Sequence, residues 1–90
     1  MHTFLLYITG KGHKSEEIIE TLRGFLTERF NDRYSLEIVD VLEDPQRAEE
    51  DMILATPTLV KSAPPPIRKI IGDFRNSQDL FALLNSTDHT

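Results

Sequence analysis

Six residues near the amino terminus, from Gly10 to Ser15, carry glycine, lysine and hydroxyl groups of the kind that hold phosphates, in the order Gly-Lys-Gly-His-Lys-Ser. A P-loop places four residues between its first glycine and a closing Gly-Lys-Ser/Thr. This segment is two residues short of that spacing, and His13 instead of glycine precedes Lys14. The sequence therefore favours a flexible connection to a helix over a nucleotide site.

Other chemistry-bearing residues are few. The chain has no cysteine, which excludes disulfides, thiolate metal sites, thiol catalysis and Cys-x-x-Cys redox chemistry. Its three histidines, His2, His13 and His89, share no ligand spacing, so we expect no metal site. Because no nucleophile, base and orienting group can be assembled, we expect neither enzymatic activity nor a cofactor.

Length and charge narrow the class of protein further. Ninety residues predict a single domain over 1–90, in which residues 85–90 are a flexible tail. Fifteen acidic against ten basic residues argue against nucleic-acid binding, which needs a clustered basic surface. The apolar run from Phe4 to Ile8 is too short to span a membrane and lacks signal-peptide features. We therefore expect a cytoplasmic protein that does not bind membranes.

The first half of the chain has the pattern of a β-α-β unit with parallel strands. Aromatic and β-branched residues predict a strand over Thr3–Thr9. Ser15 is the expected N-cap of a helix that runs to about Phe30, and a second strand is expected from Tyr34 to Leu42. The apolar positions with helical spacing are Ile18, Ile19, Leu22, Phe25, Leu26 and Phe30.

The second half adds a helix, two short strands and a last helix. Asp44-Pro45 is a typical helix start, and we expect that helix to reach Leu54 with Ala48, Met52 and Ile53 on its inner face. Strands are predicted over Thr58–Lys61 and Ile67–Ile71, the second antiparallel to the first. The last helix, capped by Asn76 or Ser77, would bury Leu80, Phe81, Leu83 and Leu84.

The resulting order, β-α-β-α-β-β-α, is similar to that of thioredoxin-like α/β folds with a mixed four-stranded sheet. The step Ala55-Thr56-Pro57-Thr58-Leu59 resembles the cis-proline corner of those folds. Three longer runs, over residues 34–51, 53–59 and 64–73, closely resemble the KaiB family of circadian clock proteins. They include Ile53-Leu54-Ala55-Thr56-Pro57-Thr58-Leu59 and Pro64-Pro65-Pro66-Ile67-Arg68-Lys69-Ile70-Ile71-Gly72-Asp73.

This resemblance implies a non-enzymatic binding module in circadian timing. KaiB-type proteins bind the ring ATPase KaiC and, in that complex, sequester KaiA. The helix that follows Asp44 lies near the KaiC-binding surface in this family. The resemblance therefore makes Gln46, Glu49, Glu50 and Asp51 candidate partner-binding residues.

The family is also metamorphic, which leaves two folds open. One is the thioredoxin-like, fold-switched KaiB state, and the alternative is the ground-state fold that assembles into tetramers. Pro57, Pro64, Pro65 and Pro66 are the candidate conformational positions, because X–Pro isomers differ by only about 0.5–1 kcal/mol. The agreement of local helix signals with one topology predicts a monomer in the thioredoxin-like state.

Departures from the family pattern bear on the partner. Family members usually have basic residues where this chain has Glu17, Glu20 and Glu37, and like-charge repulsion on one surface would count against KaiA binding. Two alternative functions therefore stay open. One is a divergent KaiB paralogue that regulates another signalling or stress-response partner, and the other is a SasA-like sensor domain.

Overall fold

Four strands form one mixed sheet in the computed structural model, which describes residues 1–72. They are β1 (His2–Ile8), β2 (Tyr34–Asp40), β3 (Thr58–Ala63) and β4 (Arg68–Ile71). Their order across the sheet is β2-β1-β3-β4. The β1 and β2 strands are parallel, whereas β3 is antiparallel to both β1 and β4, which confirms the predicted strand directions.

Two helices complete the described part of the chain, α1 (His13–Phe30) between β1 and β2 and α2 (Pro45–Glu50) between β2 and β3. The first six elements therefore follow the predicted order. The predicted last helix, with its cap at Asn76 or Ser77 and its Leu80–Leu84 run, lies outside the described residues.

The start of α1 differs from the prediction. Ser15 is not the N-cap: the helix begins at His13, and Gly12 is its N-cap, whose carbonyl accepts the Glu16 N–H at 3.0 Å. The Ser15 hydroxyl instead donates to the Gly10 carbonyl at 2.9 Å. It therefore secures the loop before the helix.

The end of α2 also differs, because the helix stops at Glu50 and does not reach Leu54. Met52 has a positive φ of 54°, the left-handed conformation that usually ends helices at glycine. Around it, the Ile53 N–H donates to the Ala48 backbone carbonyl at 2.9 Å, and the Met52 N–H donates to the Glu49 backbone carbonyl at 3.1 Å. This is the hydrogen-bond pattern of a Schellman motif. It turns Met52 outward, so the prediction of an inward Met52 was wrong.

Strand ends shift by one or two residues from their predicted positions. β1 begins at His2 and ends at Ile8, and β4 begins at Arg68. β2 ends at Asp40 because the chain turns there, with the Glu43 and Asp44 N–H groups donating to the Asp40 carbonyl. β3 continues beyond Lys61 to Ala63, opposite Thr3.

The sheet buries a different set of side chains on each face. On the face that α1 covers, Phe4, Leu6, Ile8 and Leu59 from the strands pack with Ile18, Leu22 and Leu26 from the helix. On the opposite face, Tyr7, Val39 and Val60 pack with Ala48 of α2. Alternation along each strand separates the two sets, as expected for a sheet with a helix on both sides.

We predict that shortening a buried leucine on the α1 side of the sheet lowers the free energy of unfolding, whereas shortening an exposed leucine does not. Leu22 is fully buried, so Leu22→Ala should lower the free energy of unfolding by about 2–5 kcal/mol through lost burial and the remaining cavity. Leu42 is 69% exposed, and Leu42→Ala should change it by about 0.5 kcal/mol or less. Urea unfolding of both variants measures the difference. Equal effects would contradict this account of the core.

Candidate functional site

Three of the four predicted partner-binding residues lie on the surface of α2. Gln46, Glu49 and Glu50 are exposed on this six-residue helix, and Ala48 is its buried contact with the sheet. Asp51, the fourth, is the C-cap residue and is only half exposed. The helix therefore presents an acidic outer face, from which Asp51 is turned partly inward.

The Asp51 carboxylate accepts a hydrogen bond from the Tyr7 hydroxyl, which ties the end of α2 to β1. Tyr7 is completely buried. Burial, together with this hydrogen bond, raises the pKa of the Tyr7 phenol to about 12. Both causes favour the neutral phenol, so the contact is intact across the physiological pH range.

A second contact ties the start of α2 to the edge strand β2. The Arg47 guanidinium donates to both carboxylate oxygens of Glu37, with Nη2 to Oε1 at 3.1 Å. This two-pronged geometry is the strongest form of an arginine–carboxylate pair. The hydrogen bonds from Arg47 lower the pKa of Glu37, so the pair stays charged at neutral pH.

A third contact comes from β4, the strand at the opposite edge of the sheet from β2. The Lys69 Nζ donates to the Asp51 backbone carbonyl at 2.5 Å. Three strands, β1, β2 and β4, therefore hold the two ends of α2 through polar side chains. The acidic outer face has a fixed orientation as a result.

The position of Glu37 corrects one part of the sequence interpretation. Leu36 and Ile38 pack on the α1 side, so Glu37 between them faces the α2 side, where it meets Arg47. Glu17 and Glu20 lie on α1. The three acidic residues do not share one surface, and the charge of Glu37 is matched by an arginine of the same chain.

The loop between β1 and α1 is built around the Asp40 carboxylate. Its Oδ1 accepts the N–H groups of Gly10 and Leu42, each at 2.9 Å, and these bonds hold the pKa of Asp40 below its usual value. Because a carboxylate already occupies the Gly10 N–H, this loop is poorly suited to an anion. The geometry agrees with the rejection of a phosphate loop.

A cavity of about 210 Å³ lies between the start of α1 and the turn before β3. Lys14 and Ser15 line one side, and Thr56 and Pro57 line the other. The Thr9 and Thr56 hydroxyls are hydrogen-bonded to each other at 2.5 Å across the two loops. The polar groups here are hydroxyls and an amine, without the thiols that redox chemistry would need.

The candidate conformational prolines lie at two places. The Thr56–Pro57 peptide bond, before β3, is cis. Pro64, Pro65 and Pro66 form the exposed turn between β3 and β4, where Ala63–Pro64 and Pro65–Pro66 are also cis. The Pro64 carbonyl accepts a hydrogen bond at 2.7 Å from Lys61 Nζ, a side chain that is 1% exposed.

The described histidines are far apart. His2 begins β1 and stacks on Phe30, with ring centroids 4.1 Å apart, while His13 begins α1 beyond the other end of that strand. Within residues 1–72, no group of three acidic or histidine side chains could hold a metal ion. In the same range, no helix is both long and apolar enough to cross a membrane.

Sequence reasoning missed three residues that organise this region, Tyr7, Asp40 and Lys61. Tyr7 and Lys61 stand within strand patterns that do not reveal their partners. Asp40 did carry a signal, since an acidic residue between two buried strand positions and the next turn is typical of a carboxylate that binds backbone N–H groups.

A family model described as the KaiB domain matches residues 5–86. The chain belongs to the KaiB family. Circadian clock protein KaiB3 of Synechocystis sp. is 49% identical over 73 residues, which cover 81% of this chain and 72% of that protein. The circadian clock oscillator protein KaiB of Microcystis aeruginosa is 51% identical over 73 residues, covering 81% of this chain and 70% of that protein.

Solved structures place this KaiB-family chain in the thioredoxin-like fold. The N-terminal domain of SasA from Synechococcus elongatus superposes with a TM-score of 0.80 at 21% identity, covering 99% of this chain and 85% of that domain. Mitochondrial thioredoxin 3 from Saccharomyces cerevisiae gives a TM-score of 0.71 at 21% identity, covering 93% of this chain and 77% of that protein. At these identities the likeness describes the fold alone, and it confirms the predicted thioredoxin-like α/β class.

We predict that Tyr7 titrates late and that its contact with α2 is lost only at high pH. A pKa raised from 10 to about 12 on folding stabilises the protein fully below pH 10, and this stabilisation disappears as the pH rises through 12. Tyrosinate absorbance should therefore show a component near pH 12 that is missing in Tyr7→Phe. A Tyr7 component near pH 10 in the folded protein would contradict the buried hydrogen bond.

We also predict that Asp40→Asn costs stability at neutral pH but not in acid. The lowered pKa of the native carboxyl stabilises the fold above its ordinary value of 3.8, and this stabilisation is lost as the pH falls through the native value. Urea midpoints of wild type and variant should therefore differ above pH 3.8 and converge as the pH falls below it. Asp32→Asn, in the turn after α1, is the control with the same change of net charge. A gap that is constant with pH would refute this role for the charge.

Proposed function

We propose that this chain is a circadian timing protein that binds a KaiC-type ring ATPase through α2 and catalyses no reaction itself. The observation that carries the proposal is the sequence identity of 49% and 51% between this chain and two proteins named as circadian clock proteins. The geometry of α2 supports it, because Gln46, Glu49 and Glu50 form an outward face on a helix that three strands hold in place.

The role of each candidate residue follows from its contacts. Gln46, Glu49 and Glu50 are exposed and would contact the partner directly. Asp51 uses its carboxylate for Tyr7 and its carbonyl for Lys69, so it acts by positioning the helix. Pro57 and the Pro64–Pro66 turn shape the ends of β3.

A binding role without catalysis is supported by the chemistry of the loops. The chain has no cysteine, and the cavity beside Pro57 is lined by hydroxyls that already bond to each other or to the backbone. We also propose that the protein is cytoplasmic, forms a single domain over residues 1–90 and is monomeric.

KaiA binding is expected to be weaker than KaiC binding. Glu17 and Glu20 are exposed on α1 and keep that surface acidic. Glu37 contributes less to repulsion than its charge indicates, because Arg47 compensates it.

A pull-down with a KaiC-type hexamer and ATP tests the proposal. Wild type should be retained, and reversing both exposed acids, Glu49→Lys with Glu50→Lys, should weaken retention by about tenfold or more through lost charge complementarity. Glu17→Lys with Glu20→Lys is the matched control, because it changes the net charge equally on α1 and should leave retention within about twofold.

Two results would contradict the proposal. If wild type is not retained by the hexamer under any nucleotide condition, the partner is wrong. If the α1 variant and the α2 variant lose retention equally, then total charge, and not the α2 face, governs binding.

A further inference from the structure

Four large exposed apolar side chains lie in β4, directly before it, and in the turn that links α2 to β3. Among the described residues, Met52 is 71% exposed, Leu54 92%, Ile67 63% and Ile71 62%. We call these four residues the β4 patch. Clustered exposed apolar side chains, unlike single ones, mark interaction surfaces.

Two members of the β4 patch lie in β4 or directly before it. Lys69 pairs with Val60, and Val60 packs with Ala48 of α2, so Lys69 points to the α2 side. Ile71 stands two residues after Lys69 in β4 and therefore points the same way, and Ile67 directly precedes the strand. The helix covers β1 and the neighbouring strands, and β4 lies beyond it at the sheet edge.

The other two members lie in the turn that links α2 to β3. The Lys69 Nζ donates to the carbonyl of Asp51, the residue before Met52, at 2.5 Å and so ties the start of this turn to β4. Ile71 is opposite Thr58, whose hydroxyl donates at 2.6 Å to Ala55, the residue after Leu54. These contacts hold both ends of the turn close to β4.

The backbone of Met52 gives independent support. Its φ of 54° lies in the region where glycine is favoured at the end of a helix, and its side chain is not buried in return. An exposed methionine in this conformation costs stability without a packing gain. Such an outlier is typical of a functional position.

We propose that the β4 patch is the apolar centre of the partner-binding surface, and that Glu49 and Glu50 form its acidic rim. The partner site that fits it is an apolar pocket bordered by lysine or arginine side chains. This inference rests on the proposed function, since it names the part of the surface that holds the same partner.

The apolar centre and the acidic rim of this surface have different roles in binding. Glu49 and Glu50 are exposed acids on the adjoining helix, whereas the cation at the centre, Lys69, donates to Asp51. Apolar anchors in the centre of an interface govern dissociation, and rim charges govern association and its salt dependence. The acids therefore select a basic partner, and the apolar side chains retain it.

The test compares binding of a KaiC-type hexamer with ATP across matched exposed-residue variants. Leu54→Ser and Ile71→Thr should each weaken binding by about tenfold or more, mainly through faster dissociation. Leu42→Ser removes another exposed leucine from the loop before α2, outside the β4 patch, and should change binding by less than about twofold.

Met52→Gly separates binding from folding. Glycine suits the left-handed position, so the variant should be at least as stable to urea as wild type, yet it should bind the hexamer more weakly. Weaker binding together with equal or higher stability supports the inference. Unchanged binding of Met52→Gly, Leu54→Ser and Ile71→Thr would overturn it while leaving the proposed function intact.

A partner-independent arm covers the case in which the hexamer does not bind wild type. A cationic amphipathic peptide of leucine and lysine, titrated into methyl-labelled protein, should shift the methyl signals of Leu54, Ile67 and Ile71. Shifts confined to Leu42 or to α1, or no shifts, would overturn the inference. Failure of the hexamer alone would instead reject the proposed function.

Discussion

The acidic face of this protein depends on polar contacts that hold a very short helix to the sheet. The α2 helix has six residues, too few to be stable in isolation, and Ala48 is its one buried residue. Apolar packing of α2 is correspondingly small. The hydrogen bond between Arg47 and Glu37 fixes the start of the helix, and the hydrogen bonds from Tyr7 and Lys69 to Asp51 fix its end. These contacts are directional, so they set the rotation of the helix as well as its distance from the sheet. The orientation of Glu49 and Glu50 follows from that rotation.

Much of the architecture was accessible from the sequence because local signals agreed with one another. The helical spacing of Leu22 and Leu26 and the dense apolar run of β1 each have a single structural interpretation. The failures occurred where the decisive interaction joins distant residues or an unusual conformation. The sequence around Met52 does not predict a left-handed conformation, because glycine is the usual residue at that position after a helix and none is present. Likewise, the pairing of Glu37 with Arg47 depends on the packing of α2 over β2, which a linear pattern does not contain.

The same limit applied to the site. The sequence located Gln46, Glu49, Glu50 and Asp51 correctly on or beside α2, but it treated the four as equivalent. Three-dimensional contacts separate them, because the Asp51 carboxylate is engaged by a buried phenol while the other three remain exposed. Pattern reasoning recovers which segment is on the surface. It does not recover which side chain of that segment has already been used by the fold.

The polar groups of the loop before α1 are bonded to other groups of the chain. Asp40 accepts the Gly10 and Leu42 N–H groups, and the Thr9 and Thr56 hydroxyls bond to each other. Satisfied polar groups have little left to offer a ligand. The surface beside α2 differs in that respect, because its apolar side chains are exposed and the acids of the helix point outward. The groups left available for contact are therefore on the α2 side, which supports the proposal of a protein partner there.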